Sequence, residues 1–91
     1  MNIIMRPTVT SGEIKEEFGI NIFECEFTQG VANDSYVTLW LDESQSNDIW
    51  EEIQDCKDEY HYVNRLKNEL NLINKFRAIG YTDSILVFVS W

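Results

Sequence analysis

The residues whose type and spacing bear most on chemistry are the acidic side chains between Asp42 and Glu59. This block of 18 positions holds eight of the chain's 16 acidic residues, and only Lys57 opposes them. The acids are Asp42, Glu43, Asp48, Glu51, Glu52, Asp55, Asp58 and Glu59. Carboxylate pairs can perform acid–base or metal chemistry when they are desolvated in a cleft. Whether these acids could perform such chemistry depends on the secondary structure that carries them.

A helical pattern runs through most of this block and beyond it. From Asp48 onward, apolar residues recur at spacings of three and four. No Gly or Pro interrupts the pattern before Gly80, which predicts one long helix over 48–79. A break near residues 58–62 is the alternative. On the helix, the acids from Asp48 to Glu59 fall in a stripe about 120° wide beside the apolar one. They are therefore expected to be convex and exposed, which argues against an enzyme.

The like charge of this stripe favours a binding role. Exposed helix faces usually mix Glu with Lys, whereas like-charged neighbours are unfavourable. Rows of carboxylates can take the place of DNA phosphates in a basic cleft. The residues predicted to bind such a cleft are Asp48, Glu51, Glu52, Asp55, Asp58 and Glu59, with Glu24, Glu26, Asp42 and Glu43 in support.

Composition excludes several function classes. The net charge of −9 is unfavourable for direct binding of nucleic acid or anionic membranes. The apolar run near the N-terminus is too short for a signal peptide or a membrane span. With 91 residues the chain is expected to form a single domain, located in the cytoplasm.

Candidate metal, cofactor and nucleophile sites are equally poor. Cys25 and Cys56 are too far apart for a metal motif and are predicted to be buried, reduced thiols, with a disulfide as the alternative. His61 has no ligand-spaced neighbours. A calcium-loop pattern that begins at Asp42 lacks both the glycine at its sixth position and the acid at its twelfth. We expect no metal and no cofactor.

The remaining segments predict the elements around the helix. Thr10 and Glu13 fit a capping box that opens a short helix to about Phe18, which Gly19 ends. Alternation over 20–28 predicts a strand, and a loop over 29–34 leads to a return strand over 36–41. The apolar segment 84–91 predicts a strand inside the sheet beside the first, and 2–5 could add a fourth. The predicted fold is α+β, a three- or four-stranded, mostly antiparallel sheet with a short N-terminal helix and one long helix packed on one face.

Two aromatic residues of the return strand form a second candidate surface. Tyr36 and Trp40 would lie on the outer sheet face beside Glu24 and Glu26, with Val37, Leu39 and Leu41 facing inward. Either the long helix covers this outer face, or it contacts a partner or a second copy, since exposed Trp and Tyr favour interfaces. The alternative function is therefore an acidic protein–protein adaptor or complex subunit that binds through its aromatic sheet face.

Taken together, the small size, strong acidity, aromatic content and lack of catalytic residues resemble those of phage-encoded DNA-mimic antirestriction proteins of the Arn type, from T-even phages. Asn, Ile, Asp and Lys together far outnumber Ala and Gly, which is typical of an AT-rich phage genome. No specific motif carries the resemblance. It implies an inhibitor, often a homodimer, that occupies the DNA-binding cleft of a host defence enzyme such as a restriction endonuclease.

Overall fold

The computed structural model describes residues 7–56 and 59–91, and these form an α+β fold, as predicted. The elements in chain order are β1 (Thr8–Thr10), α1 (Ser11–Phe18), two 3₁₀ turns (Ile22–Glu24 and Glu26–Thr28), β2 (Ser35–Trp40), α2 (Glu43–Asp55), α3 (Tyr60–Ala78) and β3 (Ser84–Val89). The fourth strand predicted over 2–5 lies outside the described residues.

The sheet has three strands in the order β1-β3-β2. β3 pairs antiparallel with β2 over six residues and parallel with β1 over three. The interior position predicted for the apolar C-terminal strand is therefore confirmed. A strand over 20–28 beside it was also expected, and that expectation is wrong because β1 and β2 occupy the two flanks.

One face of the sheet carries the core. Leu39 of β2 and Ile85, Val87 and Val89 of β3 are buried on this face, and the two-residue alternation of β2 places Leu39 inward as predicted. Val37 packs against the same cluster and Leu41 is buried. The helices contribute the other apolar side chains of this core, which include Ile14, Ile49, Leu66, Leu72, Ile73 and Phe76. The helical layer thus lies on one side of the sheet.

Helix α1 begins and ends as the sequence predicts. The Thr10 hydroxyl oxygen accepts a hydrogen bond from the Glu13 N–H at 3.1 Å, and the Glu13 carboxylate accepts one from the Thr10 N–H at 3.2 Å. These reciprocal bonds satisfy N–H groups that the first turn leaves unpaired. Gly19 ends the helix in the left-handed region, with φ 70°.

Segment 20–28 forms two 3₁₀ turns, so the predicted strand is wrong. Ile22, Cys25 and Thr28 are buried, and this spacing of three matches the 3₁₀ repeat. The Thr28 hydroxyl donates to the Ile22 carbonyl at 2.6 Å and to the Cys25 carbonyl at 3.0 Å. The Ile22 and Cys25 carbonyls are therefore satisfied without a β ladder, and Glu24 and Glu26 do not share a sheet face with Tyr36 and Trp40.

The long helix predicted over 48–79 is wrong, because two helices take its place. α2 already begins at Glu43, where the Asp42 carboxylate caps it by accepting from the Gln45 N–H at 3.3 Å. It ends at Asp55, and Cys56 (ψ 100°) and Glu59 (ψ 75°) are both non-helical. The alternative of a break is confirmed, slightly earlier than the expected 58–62.

Candidate partner-binding surface

Helix α2 presents a row of four exposed carboxylates, which we call the acidic row: Asp48, Glu51, Glu52 and Asp55. At about 100° per residue they occupy a stripe about 100° wide. Ile49 is buried on the opposite side, and Ile53 is half-buried there. The row is therefore held at the surface by the burial of the other side of the same helix.

The mean axial charge density of the acidic row is close to that of a nucleic acid strand. Asp48 and Asp55 are seven residues apart, which is about 10.5 Å along a helix that rises 1.5 Å per residue. Four charges over that length give about one charge per 3.5 Å. One strand of B-DNA carries a phosphate about every 3.4 Å along its axis. Along its axis, the row has the charge density of a single DNA strand.

The acidic row is electrostatically unfavourable by itself. Helix α2 contains no basic residue, and the ion pair found within the described residues joins Arg65 to Glu26 at 2.6 Å instead. Asp55 lies in the last turn, where the partial negative charge of the helix end repels an acid. A partner that brings positive charge to this face would relieve both the repulsion among the four carboxylates and the repulsion between Asp55 and the helix end.

Glu52 also anchors the row to the start of α3. The Tyr62 hydroxyl donates to the Glu52 carboxylate at 3.3 Å, and the Cys56 thiol donates to the same oxygen at 3.5 Å. Partial burial and the Glu52 carboxylate raise the pKa of both donors. The Cys56 thiol therefore stays protonated at neutral pH and is a poor nucleophile.

The two cysteines differ in burial. Cys25 is fully buried and free, as predicted, and burial raises the pKa of its thiol to about 12. Cys56 is free but only half-buried, so the prediction of two buried thiols is correct for Cys25 alone. Within the described residues, no three Cys, His, Asp or Glu side chains are grouped as metal ligands.

The other predicted binding residues are dispersed. Glu59 is exposed but lies at the start of α3, outside the row, and Asp58 falls outside the described residues. Glu26 is half-buried and ion-paired with Arg65. The Asp42 carboxylate caps the N-terminus of α2. Glu43 and Glu24 are exposed, the first in the opening turn of α2 and the second in the first 3₁₀ turn. The structure therefore reduces the predicted surface to the acidic row.

The outer face of the sheet is a second candidate surface, which we call the aromatic sheet face: Tyr36, Trp40, Leu86 and Phe88. Tyr36 and Trp40 retain 59% and 45% of their surface exposed. The Tyr36 ring packs on Phe88 with centroids 5.0 Å apart. The helical layer lies on the opposite side, so the expectation that a long helix covers this face is wrong. Leu86 and Phe88 were not predicted on this face, because they alternate with buried residues inside an almost uniformly apolar strand.

The scan of protein-family models finds no match to this chain, and searches of curated proteins and of solved structures find no significant similarity either. No helix within residues 7–56 or 59–91 combines the length and apolarity that a membrane crossing requires.

Proposed function

We propose that this protein is a phage-type inhibitor that mimics DNA with its acidic surface and blocks a DNA-binding host defence enzyme, such as a restriction endonuclease. The observation that carries the proposal is the acidic row on α2, which is exposed, unopposed by any described cation and close to one DNA strand in mean axial charge density. No catalytic step is involved, and the protein acts in the host cytoplasm.

The mechanism is electrostatic occupation of a basic cleft. Lys and Arg side chains that normally contact phosphates would meet carboxylates at a similar mean charge density. Because α2 is packed on the core through Ile49, the helix backbone that carries the carboxylates is already ordered before binding, which lowers the entropy cost of association. Complementary charge would speed encounter and make the affinity fall with added salt.

The test compares two triple variants that remove the same charge. Asp48→Asn, Glu51→Gln and Asp55→Asn neutralise the row and keep Glu52 for its contacts with Tyr62 and Cys56. The control neutralises three exposed acids elsewhere: Glu16→Gln, Asp34→Asn and Asp83→Asn. Each immobilised variant is incubated with bacterial host lysate, and retained proteins are eluted with duplex DNA or with 0.5 M salt (about three times physiological ionic strength).

Wild type and control should retain a DNA-handling enzyme that both DNA and salt release. The row variant should bind it about 10- to 100-fold more weakly, at about 0.5–1 kcal/mol for each exposed ion pair lost. Mimicry is wrong if neither DNA nor salt displaces the retained protein, or if the two triple variants lose binding equally.

The exposed aromatic sheet face supports a second candidate function, an adaptor or subunit that pairs with another protein. Buried aromatic anchors commonly dominate such interfaces. Trp40→Ala should then abolish capture of the partner, whereas the row variant should leave it intact. Trp50→Ala, which truncates an exposed Trp on α2, is the matched control. Sedimentation of Trp40→Ala against wild type would show whether the partner is a second copy.

A further inference from the structure

An apolar groove of about 190 Å³ lies between α1 and the end of α3. Ile14 and Phe76, both buried, form its floor. Phe18 stacks edge-on against Phe76 with ring centroids 5.0 Å apart. A closed apolar cavity of about 150 Å³ holds a benzene ring, so this groove has room for one large apolar side chain and is too small for a drug-sized ligand.

The wall opposite α1 is fixed by the way α3 ends. The Gly80 N–H donates to the Arg77 carbonyl at 3.1 Å, and the Tyr81 N–H donates to the Phe76 carbonyl at 3.2 Å. This bond pair is a Schellman motif, with Gly80 in its left-handed position at φ 108°. The motif sets the Tyr81 ring 6.2 Å from that of Phe76. The groove is therefore ordered before anything binds.

The rim of the groove leaves apolar surface in water. Ile79 and Tyr81 line it while 60% and 39% exposed, respectively. Covering these side chains with a second apolar group would remove their apolar surface from water, which is favourable. This second feature, separate from the floor, indicates that the groove accepts an apolar side chain from outside.

The negative charge at the rim of the groove favours a cation next to that apolar side chain. Glu13 and Glu17 line the groove one helical turn apart on α1, a like-charged spacing that is unfavourable in isolation. None of the described residues that line the groove is basic. Lys15, the one basic residue of α1, lines a separate depression beside Asn21 and Ser90. The Glu13 Oε1 atom accepts from the Thr10 N–H in the capping box, so a cation next to the inserted side chain would meet the Glu17 carboxylate and the other oxygen of Glu13, with no competing cation among the described lining residues.

We propose that this groove docks a short basic segment of another protein, with one large apolar side chain seated over Phe76 and Ile79 and a flanking Lys or Arg paired with Glu13 and Glu17. The surface goes beyond the acidic row, which lies on a different helix. It needs no DNA-binding function in the partner.

The probes are three labelled heptapeptides: Gly-Lys-Lys-Phe-Lys-Lys-Gly, the same peptide with Ser in place of Phe, and the same peptide with Glu in place of every Lys. Binding is measured by fluorescence anisotropy, and methyl NMR spectra locate the contact. Because burial of a Phe side chain is strongly favourable, the first peptide should bind about 10-fold or more tightly than the Ser peptide. The Glu peptide should not bind. Methyl shifts should concentrate at Ile14 and Ile79.

Two exposed positions test the groove without disturbing the core. Ile79→Ser should weaken the Phe peptide about 10-fold and leave the Ser peptide unchanged. Glu17→Gln should weaken both basic peptides about two- to five-fold, whereas Glu16→Gln on the same helix but outside the groove should weaken neither.

Three outcomes would overturn the proposal. Equal affinity for the Phe and Ser peptides would mean that charge alone attracts them. Shifts centred on Ile49 of α2 or on Leu86 of the sheet would place the contact elsewhere. Signals of Ile14 and Ile79 that change on dilution of the protein alone would show that a second copy fills the groove.

Discussion

Glu69 allows the sharpest test of how this fold is held together. Its side chain is 5% exposed, on the buried side of α3. Its carboxylate accepts a hydrogen bond from the Phe27 N–H at 2.7 Å, which ties the second 3₁₀ turn to the helix. Burial, and secondarily the Glu26 carboxylate, raise the pKa of Glu69 against the lowering effect of that hydrogen bond. The acceptor is therefore needed, but its negative charge is not.

Two substitutions separate these contributions. Glu69→Gln keeps an oxygen that can accept from Phe27 and removes the charge, so it should be at least as stable as wild type at pH 7. Glu69→Ala leaves the partly buried Phe27 N–H without its acceptor, which costs about 1–3 kcal/mol. For a domain of this size, each kcal/mol corresponds to a shift in Tm of about 4–8 °C. Thermal unfolding followed by circular dichroism measures both variants.

The pH dependence gives an independent signature. Because the folded state raises the pKa of Glu69, the folded chain binds a proton more tightly than the unfolded chain does. The destabilising charge is present above the folded pKa and is lost as the pH falls through it. The advantage of Glu69→Gln over wild type should therefore be largest at pH 7 and shrink towards pH 4, while the other acids cancel in the comparison.

Either of two results would contradict these expectations for Glu69. A stability difference between Glu69→Gln and wild type that stays constant from pH 7 to pH 4 would mean that burial does not perturb Glu69. A Glu69→Ala variant as stable as Glu69→Gln would mean that the Phe27 N–H does not depend on this acceptor.

Three further predictions concern the local structure, and urea denaturation measures the stability of each variant. Thr10→Ala should cost about 1 kcal/mol because it removes the cap of α1, and Thr10→Ser should restore most of the loss. Gly80→Ala should cost about 1–2 kcal/mol, since φ 108° strains any residue with a Cβ, although no atom lies within 4 Å of that Cβ; Gly12→Ala, inside α1 at an ordinary φ, should not lose stability. Leu72→Ala should cost about 2–5 kcal/mol because Leu72 is fully buried; an unchanged urea midpoint would contradict its place in the core.

Local sequence signals predicted the elements whose contacts are themselves local. The bonds between Thr10 and Glu13 close within one turn, so the capping box located α1 correctly. The strand β2 was equally readable, because each inward residue alternates with an outward one. The fold class followed from these elements and from the uniformly apolar β3.

The strand predicted over 20–28 is wrong in part because two of the segment's backbone groups find their hydrogen-bond partners on α3, far away in the sequence. Its alternating Phe and Glu residues match a strand, but the Phe27 N–H is satisfied by Glu69 and the Glu24 carbonyl by the Asn68 amide, at 3.0 Å. Both partners are more than 40 residues away in the sequence. The periodicity of a sequence contains no information about such distant contacts. The burial of every third residue, Ile22, Cys25 and Thr28, is evident only from the structure.

The break between α2 and α3 makes the site shorter than the sequence suggested, and this yields a last prediction. A continuous helix would have carried the acids to Glu59, whereas the row ends at Asp55. Ser44 is exposed one turn before Asp48 and lies at the same helical angle as the row. Ser44→Glu would lengthen the row by about 6 Å and place the new charge near the helix N-terminus, where the dipole favours it.

If the row binds a basic cleft, Ser44→Glu should tighten capture of the DNA-displaceable target about two- to five-fold, at about 0.5–1 kcal/mol for one added exposed ion pair. Gln54→Glu adds the same charge to the same helix, but about 60° outside the edge of the row. It should leave the affinity unchanged. Equal tightening by both substitutions would show that the partner responds to the total charge of α2, and the charge density along the row would then carry no information about DNA.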